Sequence, residues 1–149
     1  MELERIAFFA GSFDPFTVGH QSVVERGLQL FDRIVIGVGI NAEKTAAEDV
    51  DARVADILDV FGDDPRIEVE PYGDLTWEAA RRLGCTHLLR GARSVADFEY
   101  ERNLADANRN LSGLETVILF TLPEHSFISS SLVRDLQRHG ADTSEFLPQ

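Results

Sequence analysis

The sequence predicts an α/β protein of one domain, residues 1–149, built around a doubly wound, five-stranded parallel sheet, and three observations predict it. Five short runs rich in Val, Ile, Leu and Phe recur along the chain, and each is followed by a segment whose apolar residues return at helical spacing. Most of the runs are almost continuously apolar, as expected of strands covered on both faces. Neither a low-complexity linker nor an internal repeat interrupts the series. A chain of 149 residues that is 44% hydrophobic buries one core but is too short for two ordinary domains.

Taken in order, Ile6 to Ala10 reads as the first strand, and from His20 the residues Val23, Val24 and Leu28, closed by Leu30 and Phe31, trace one helical face. Arg33 to Gly39 is the second strand. Asn41 to Asp49 is polar and predicts a loop; Val50, Val54, Ile57, Leu58 and Phe61 then recur at helical spacing until Gly62, Asp63, Asp64 and Pro65 end the helix. Arg66 to Glu70 alternates, predicting a half-exposed edge strand. Leu75 to Leu83 is a short helix closed by Gly84, Thr86 to Leu89 a fourth strand running into Arg90 and Gly91, and Val95 to Leu111 a longer helix. Thr116 to Phe120 is the fifth strand, and Ser129 to His139 the last helix, with serines to cap its start and Gly140 behind its end. Five such β-α units give a Rossmann-like sheet, in which ligands bind outside the carboxyl ends of the strands, where strand order reverses. Segments 11–20, 41–44, 74–76, 90–93 and 121–131 all follow strands and are expected to share that rim.

Charge narrows the partners. A net charge of −12, from 26 acidic and 14 basic residues, repels nucleic acid and anionic membrane at long range, so neither is expected to bind. A small phosphorylated ligand then needs a local basic cluster, and the cations are all arginines apart from a single lysine, Lys44. No run is apolar for the length of a membrane helix. The start, Met1-Glu2-Leu3-Glu4-Arg5, is acidic where a secretory signal is basic and then apolar, so a soluble cytoplasmic protein is expected. One cysteine, Cys85, excludes an internal disulfide and reads as a buried structural thiol. His87 reads as a core histidine, His139 as a charge offsetting a helix dipole, and Phe8, Phe9, Trp77, Phe98 and Phe120 as core or pocket-wall residues.

One stretch carries more specific chemistry. The first strand breaks at Gly11, turns through Asp14 and Pro15, and reaches Gly19 and His20 where a helix begins. Glycines let backbone approach a ligand, a helix start offers unpaired N–H groups and partial positive charge, and Ser12 and His20 can donate to phosphate oxygens. This is the layout of a phosphate site, and it points to nucleotide chemistry.

Gly11-Ser12-Phe13-Asp14-Pro15 followed by Thr17-Val18-Gly19-His20 resembles the T/H-x-G-H signature of the nucleotidyltransferase superfamily. Two further stretches narrow the resemblance: Leu89-Arg90-Gly91-Ala92-Arg93-Ser94-Val95-Ala96-Asp97-Phe98-Glu99-Tyr100-Glu101, and Phe127-Ile128-Ser129-Ser130-Ser131-Leu132-Val133-Arg134. Over nearly its whole length the chain is similar to the bacterial phosphopantetheine adenylyltransferases, which make dephospho-coenzyme A and pyrophosphate from ATP and 4'-phosphopantetheine. The resemblance implies that His20 donates to the α-phosphate and that Lys44 bridges the two reacting phosphates. Ser12, Lys44, Thr76 and Arg90 would hold phosphopantetheine. ATP would be held by Ser12, Phe13, His20, Gly91, Ala92 and Arg93, with Glu101 facing the ribose and adenine. His125, Ser126, Phe127 and Ile128 complete that site, with Ser129, Ser130 and Ser131 at the β- and γ-phosphates. It further implies Mg2+, held mainly by ATP phosphates and water rather than by protein ligands, and a homo-oligomer, commonly a hexamer.

Plainer readings stand beside these. His20 by itself reads as an ordinary helix-start histidine, Lys44 as a solvated loop charge, Glu101 as a solvated acid, and Ser129 to Ser131 as an N-cap. Arg90 and Arg93 also have Asp97 and Glu101 within reach for ion pairs. His125 stands where many relatives carry Tyr or Trp, and Thr76 where some carry an apolar residue. Two other functions remain in play: a sister transferase acting on a mononucleotide or polyol phosphate, and a nucleotide-binding regulator without turnover.

Overall fold

A computed structural model describes residues 3–40 and 47–149. Its elements, in order, are β1 (Ile6–Gly11), α1 (Val18–Gly27), β2 (Arg33–Gly39), α2 (Ala47–Phe61), β3 (Ile67–Tyr72), α3 (Thr76–Arg82), β4 (His87–Ala92), α4 (Val95–Ser112), β5 (Glu115–Phe120) and α5 (Ser130–Arg138). All strand pairs are parallel and the order is β3-β2-β1-β4-β5. The expected five-stranded, doubly wound sheet is therefore present, with the reversal of strand order between β1 and β4.

Alternation along the strands builds two cores. Ala7 and Phe9 of β1 join Val24 of α1, Ile34 and Ile36 of β2 and Ile57 of α2 on one face. Ile6, Phe8 and Ala10 join Ala79 and Ala80 of α3 and Leu88 of β4 on the other. Both faces of β1 are thus buried, which explains its continuous apolar run. Gly37 of β2 admits the ring of Phe8: a Cβ there would lie 2.3 Å from Phe8 Cζ. Phe8 is fully buried and packs edge-on against Tyr72 at 5.4 Å, so it has little room to yield. Gly37→Ala is expected to destabilise the fold by about 1–3 kcal/mol, read as a lower urea midpoint at unchanged m-value.

β3 forms the edge expected of its alternating pattern, with Val69 buried and Glu68 exposed. β5 forms the other edge, and here the expectation for two aromatics is corrected. Phe98 and Phe120 are 37% and 65% exposed and stack on each other at 6.0 Å, because β5 is an edge strand and no strand among the described residues pairs with its outer side. Helix α2 starts at Ala47, inside the segment expected as loop up to Asp49; apolar periodicity begins only at Val50 and does not mark the start. The remaining loop residues, 41–46, lie outside the described residues. Cys85 is buried, and burial together with the charge of Glu68 pushes its thiol up to about 12, so it stays protonated.

Candidate active site

The β1–α1 loop is held by side chains that grip its backbone. Gly11 has no Cβ because one would lie 2.9 Å from the ring of Phe13, which folds back over it. Phe13 has a φ of +48°, an uncommon backbone for a non-glycine residue and one that side-chain packing must enforce. Its ring packs against Phe9 at 5.1 Å, Phe16 at 5.4 Å and His20 at 5.0 Å. Outside this aromatic cluster, Arg53 of α2 donates to the Ser12 carbonyl at 2.5 Å, and also to the carbonyls of Gly39 at 3.2 Å and Asp49 at 3.4 Å. From α5, Arg134 donates to the carbonyl of Asp14 and Ser130 Oγ to that of Pro15 at 2.7 Å.

His20 is prepared as a neutral donor. Thr17 caps α1 by accepting from the His20 N–H, and His20 Nδ1 accepts the Thr17 N–H at 3.0 Å. A nitrogen that accepts carries no proton, so the neutral ring holds its proton on Nε2, the nitrogen left free for a ligand. Burial against the phenylalanines, followed by the charges of Arg93 and Arg90, lowers the His20 pKa to about 4. The ring is uncharged at neutral pH.

This carries a consequence for stability. In the unfolded chain His20 titrates near 6.5, in the folded chain near 4. Above 6.5 both states are neutral. As pH falls from 6.5 towards 4, the unfolded chain takes up a proton that the folded chain refuses, so the folded state loses ground across that window and the loss levels off below it. His20→Asn is expected to flatten this part of the profile, measured as the urea midpoint against pH.

Two cavities open on either side of Arg90. The first, about 350 Å3, lies at the switch point between β1 and β4, and Ser12, Phe13, His20, Gly91, Arg93 and Ser129 line it, together with Ile128, Ser130, Ser131 and Arg134. The second, about 370 Å3, lies under α3 and α4 and is lined by Thr76, Trp77, Glu101, Leu104 and Thr116 among others. Arg90 borders both. Its guanidinium donates to the Ala10 carbonyl and forms a two-pronged pair with Glu101, each nitrogen–oxygen distance 2.7 Å. Burial opposes its charge, but the Glu101 carboxylate outweighs that and raises its pKa. Arg93 pairs with Asp97 at 3.1 Å, so both arginines make the acidic contacts the sequence allows.

The remaining expected residues divide. Thr76 faces the second cavity. Glu101 borders the second cavity too: it is 5% exposed and paired with Arg90, so it is not the solvated acid of the plainer reading. The reason is helical register, which turns Glu101 inward beneath Arg90. Ala92 is buried beneath the rim. His125 lies beside Gly19, its Cβ 3.8 Å from where a Gly19 Cβ would stand. Ser126 Oγ donates to the Pro123 carbonyl, and Phe127 is 58% exposed against Phe146. None of these four is among the residues lining the first cavity. Ser129 caps α5 by accepting from Leu132 N–H, and Ser131 Oγ accepts from Arg134, so with Ser130 on Pro15 all three hydroxyls already have partners. What α5 offers the cavity is therefore its helix start rather than its hydroxyls. Lys44 lies outside the described residues. Arg53 carries no signal in the sequence, and Arg134 stands there only as the end of the 127–134 stretch, because both bind backbone carbonyls, which leave no trace in side-chain pattern. Trp77 signals only a wall residue.

A Rossmann-like sheet with an arginine-lined, histidine-bearing cavity at its switch point is the site of a nucleotidyltransferase, and residues 8–136 match the cytidylyltransferase-like family. The chain is 49% identical over 145 residues to the phosphopantetheine adenylyltransferase of Phocaeicola vulgatus, covering 97% of this chain and 96% of that one. It is 50% identical over 146 residues to that of Porphyromonas gingivalis, covering 98% and 95%. It belongs to the phosphopantetheine adenylyltransferase family. A bifunctional NMN adenylyltransferase/ADP ribose pyrophosphatase from Francisella tularensis shares the fold, with a TM-score of 0.68 at 15% identity; the match covers 99% of this chain and 46% of that one.

Proposed function

We propose that the protein transfers the adenylyl group of ATP to 4'-phosphopantetheine, giving dephospho-coenzyme A and pyrophosphate. The observation that carries this reading is the position of Arg90, one cation bordering both cavities. A phosphate held there would have its organic arm in the second cavity and its free oxygens facing the first. A phosphate oxygen of the acceptor attacks the α-phosphorus of ATP, a new phosphorus–oxygen bond forms, and the bond to the β-phosphate oxygen breaks to release pyrophosphate. The attacking oxygen is already ionised, so the chain supplies positioning and charge rather than a base.

His20 Nε2–H donates to an α-phosphate oxygen as charge accumulates there. Arg93, Arg134 and the start of α5 hold the outer phosphates. Ser12 stands where the two substrates meet, and Lys44 takes the bridging role that family membership suggests. The described residues contain no group of three or more His, Cys, Asp or Glu that could hold a metal. The Mg2+ ion that family membership implies would arrive with the triphosphate and keep phosphate and water ligands, and its charge would offset that of the outer phosphates. No helix among the described residues is long and apolar enough to cross a membrane, in keeping with a cytoplasmic setting. The exposed apolar strip of Val95, Phe98 and Phe120 supports self-association, hexameric by resemblance, which sedimentation would measure.

The test is pyrophosphate release from ATP and Mg2+ with candidate acceptors. Release with 4'-phosphopantetheine supports the reading. Release only with nicotinamide mononucleotide overturns it, and ATP binding without turnover on any acceptor would mark a regulator instead.

A further inference from the structure

After α5 the chain doubles back and meets the turn that precedes that helix. Pro123–His125 is one turn of 3-10 helix, with His125 beside Gly19. Gly19, and then Ile128 and Ser129 just beyond the turn, line the first cavity. The hydrogen bonds described for the turn close on itself. His125 N–H donates to the Leu122 carbonyl at 2.9 Å, Ser126 N–H and Oγ to that of Pro123, and Ile128 N–H to that of His125 at 3.0 Å. Its place beside the cavity therefore depends on side-chain packing. Phe127 stays exposed and meets the ring of Phe146 edge-on at 5.7 Å.

Phe146 is held in its turn. Ser144–Phe146 is a second turn of 3-10 helix, with the Phe146 N–H on the Thr143 carbonyl at 2.9 Å. Thr143 is buried, and its hydroxyl accepts from Gln137 Nε2, in the last turn of α5, at 3.3 Å. Gln149 Nε2 donates to the carbonyls of Ser144 at 2.7 Å and Leu147 at 3.2 Å, which ties the segment together. Residues 143–149 thus form a brace, anchored at the far end of α5 and set against the turn at its near end.

We propose that Phe146 is a positioning residue for ATP, acting through Phe127 on the turn and on the cavity wall at Ile128 and Ser129. Phe146 itself lines neither cavity. The start of α5 is fixed from the other side by Ser130 and Arg134, whereas the turn ahead of it relies on this edge-to-face pair, which favours one geometry. Without the pair the turn samples several positions, and ATP must select one of them on binding. Affinity falls, while the reacting centre at His20 and Arg90 is untouched. The inference rests on the reading above, with the triphosphate at Arg93, Arg134 and the start of α5.

The experiment compares wild type, Phe146→Ala, Phe146→Tyr, Phe127→Ala and the double alanine variant. It combines steady-state pyrophosphate release with calorimetry of ATP and Mg2+ binding in the absence of acceptor. Phe146→Ala is expected to weaken ATP binding and raise the KM for ATP about fivefold, with kcat and the KM for 4'-phosphopantetheine within twofold of wild type. Phe146→Tyr keeps the ring and should restore wild-type affinity. Adding Phe146→Ala to Phe127→Ala should cost nothing further, because the brace acts through that ring. Unchanged ATP affinity in Phe146→Ala would overturn the proposal, as would equal losses for both substrates or additive losses in the double variant. Should Phe146→Ala melt below the assay temperature, Phe146→Leu keeps most of the volume and carries the same comparison. If wild type binds ATP but releases no pyrophosphate with any acceptor, the transfer reading fails alone and calorimetry still decides. If wild type binds no ATP, both fail together.

Discussion

Replacing His20 with alanine is expected to lower turnover by about 10²–10³-fold while leaving ATP affinity within a fewfold of wild type, the pattern for a donor that matters chiefly as charge develops. Three features of the site argue for it. The pKa near 4 keeps the imidazole neutral through the physiological range, so no general-acid role is available to it. Its Nδ1 is occupied by the Thr17 N–H, which leaves Nε2–H as the single proton it can offer. The ring is clamped by Phe13 and Phe16, so the donor is already aimed and loses little freedom on binding. His20→Gln separates position from chemistry, since an amide N–H can replace part of the donation but not the cap. Equal losses in kcat and in ATP binding for His20→Ala, measured by single-turnover kinetics and calorimetry, would show that the ring serves ground-state binding instead.

Arg90→Ala is expected to damage folding as well as catalysis. It strands Glu101, whose side chain is 7% exposed, without its only salt-bridge partner among the described residues. Breaking such a pair costs about 3 kcal/mol, the low end of the usual range because the Arg90 side chain keeps 30% exposure. For a chain of this size that is a fall in Tm of about 6–12 °C. Removing both charges should behave differently. Arg90→Met combined with Glu101→Leu replaces an ion pair by apolar packing and should recover most of the lost Tm, yet turnover with 4'-phosphopantetheine should stay abolished. A double variant as unstable as Arg90→Ala alone would mean that the Ala10 carbonyl, not Glu101, is the contact that matters for folding.

Much of this is legible in the chain. The strands are legible because burial on both faces of β1 and β2 writes an uninterrupted apolar run, and the first loop because glycine, Asp-Pro and a helix-start histidine each have a local meaning. Glu101 is not. Whether an acid eleven residues beyond Arg90 faces solvent or turns inward depends on how α4 sits against β4, a long-range property that the acid-rich helix sequence does not encode. The serines of α5 suit phosphate ligands in the sequence because a hydroxyl at a helix start serves a cap and a ligand equally well; only the Asp14–Pro15 backbone lying beneath them decides. Trp77 reads as a wall residue, and it lines the second cavity.

Arg53 has the widest implication. Its guanidinium holds the carbonyls of Ser12, Gly39 and Asp49, groups that every amino acid carries alike. The hold of Arg53 on position 12 is therefore indifferent to the side chain displayed there. A substitution at position 12 leaves that backbone contact in place. An engineer seeking new acceptors can thus vary position 12 while the Arg53 contact, the aromatic cluster and the α5 contacts keep the loop's path.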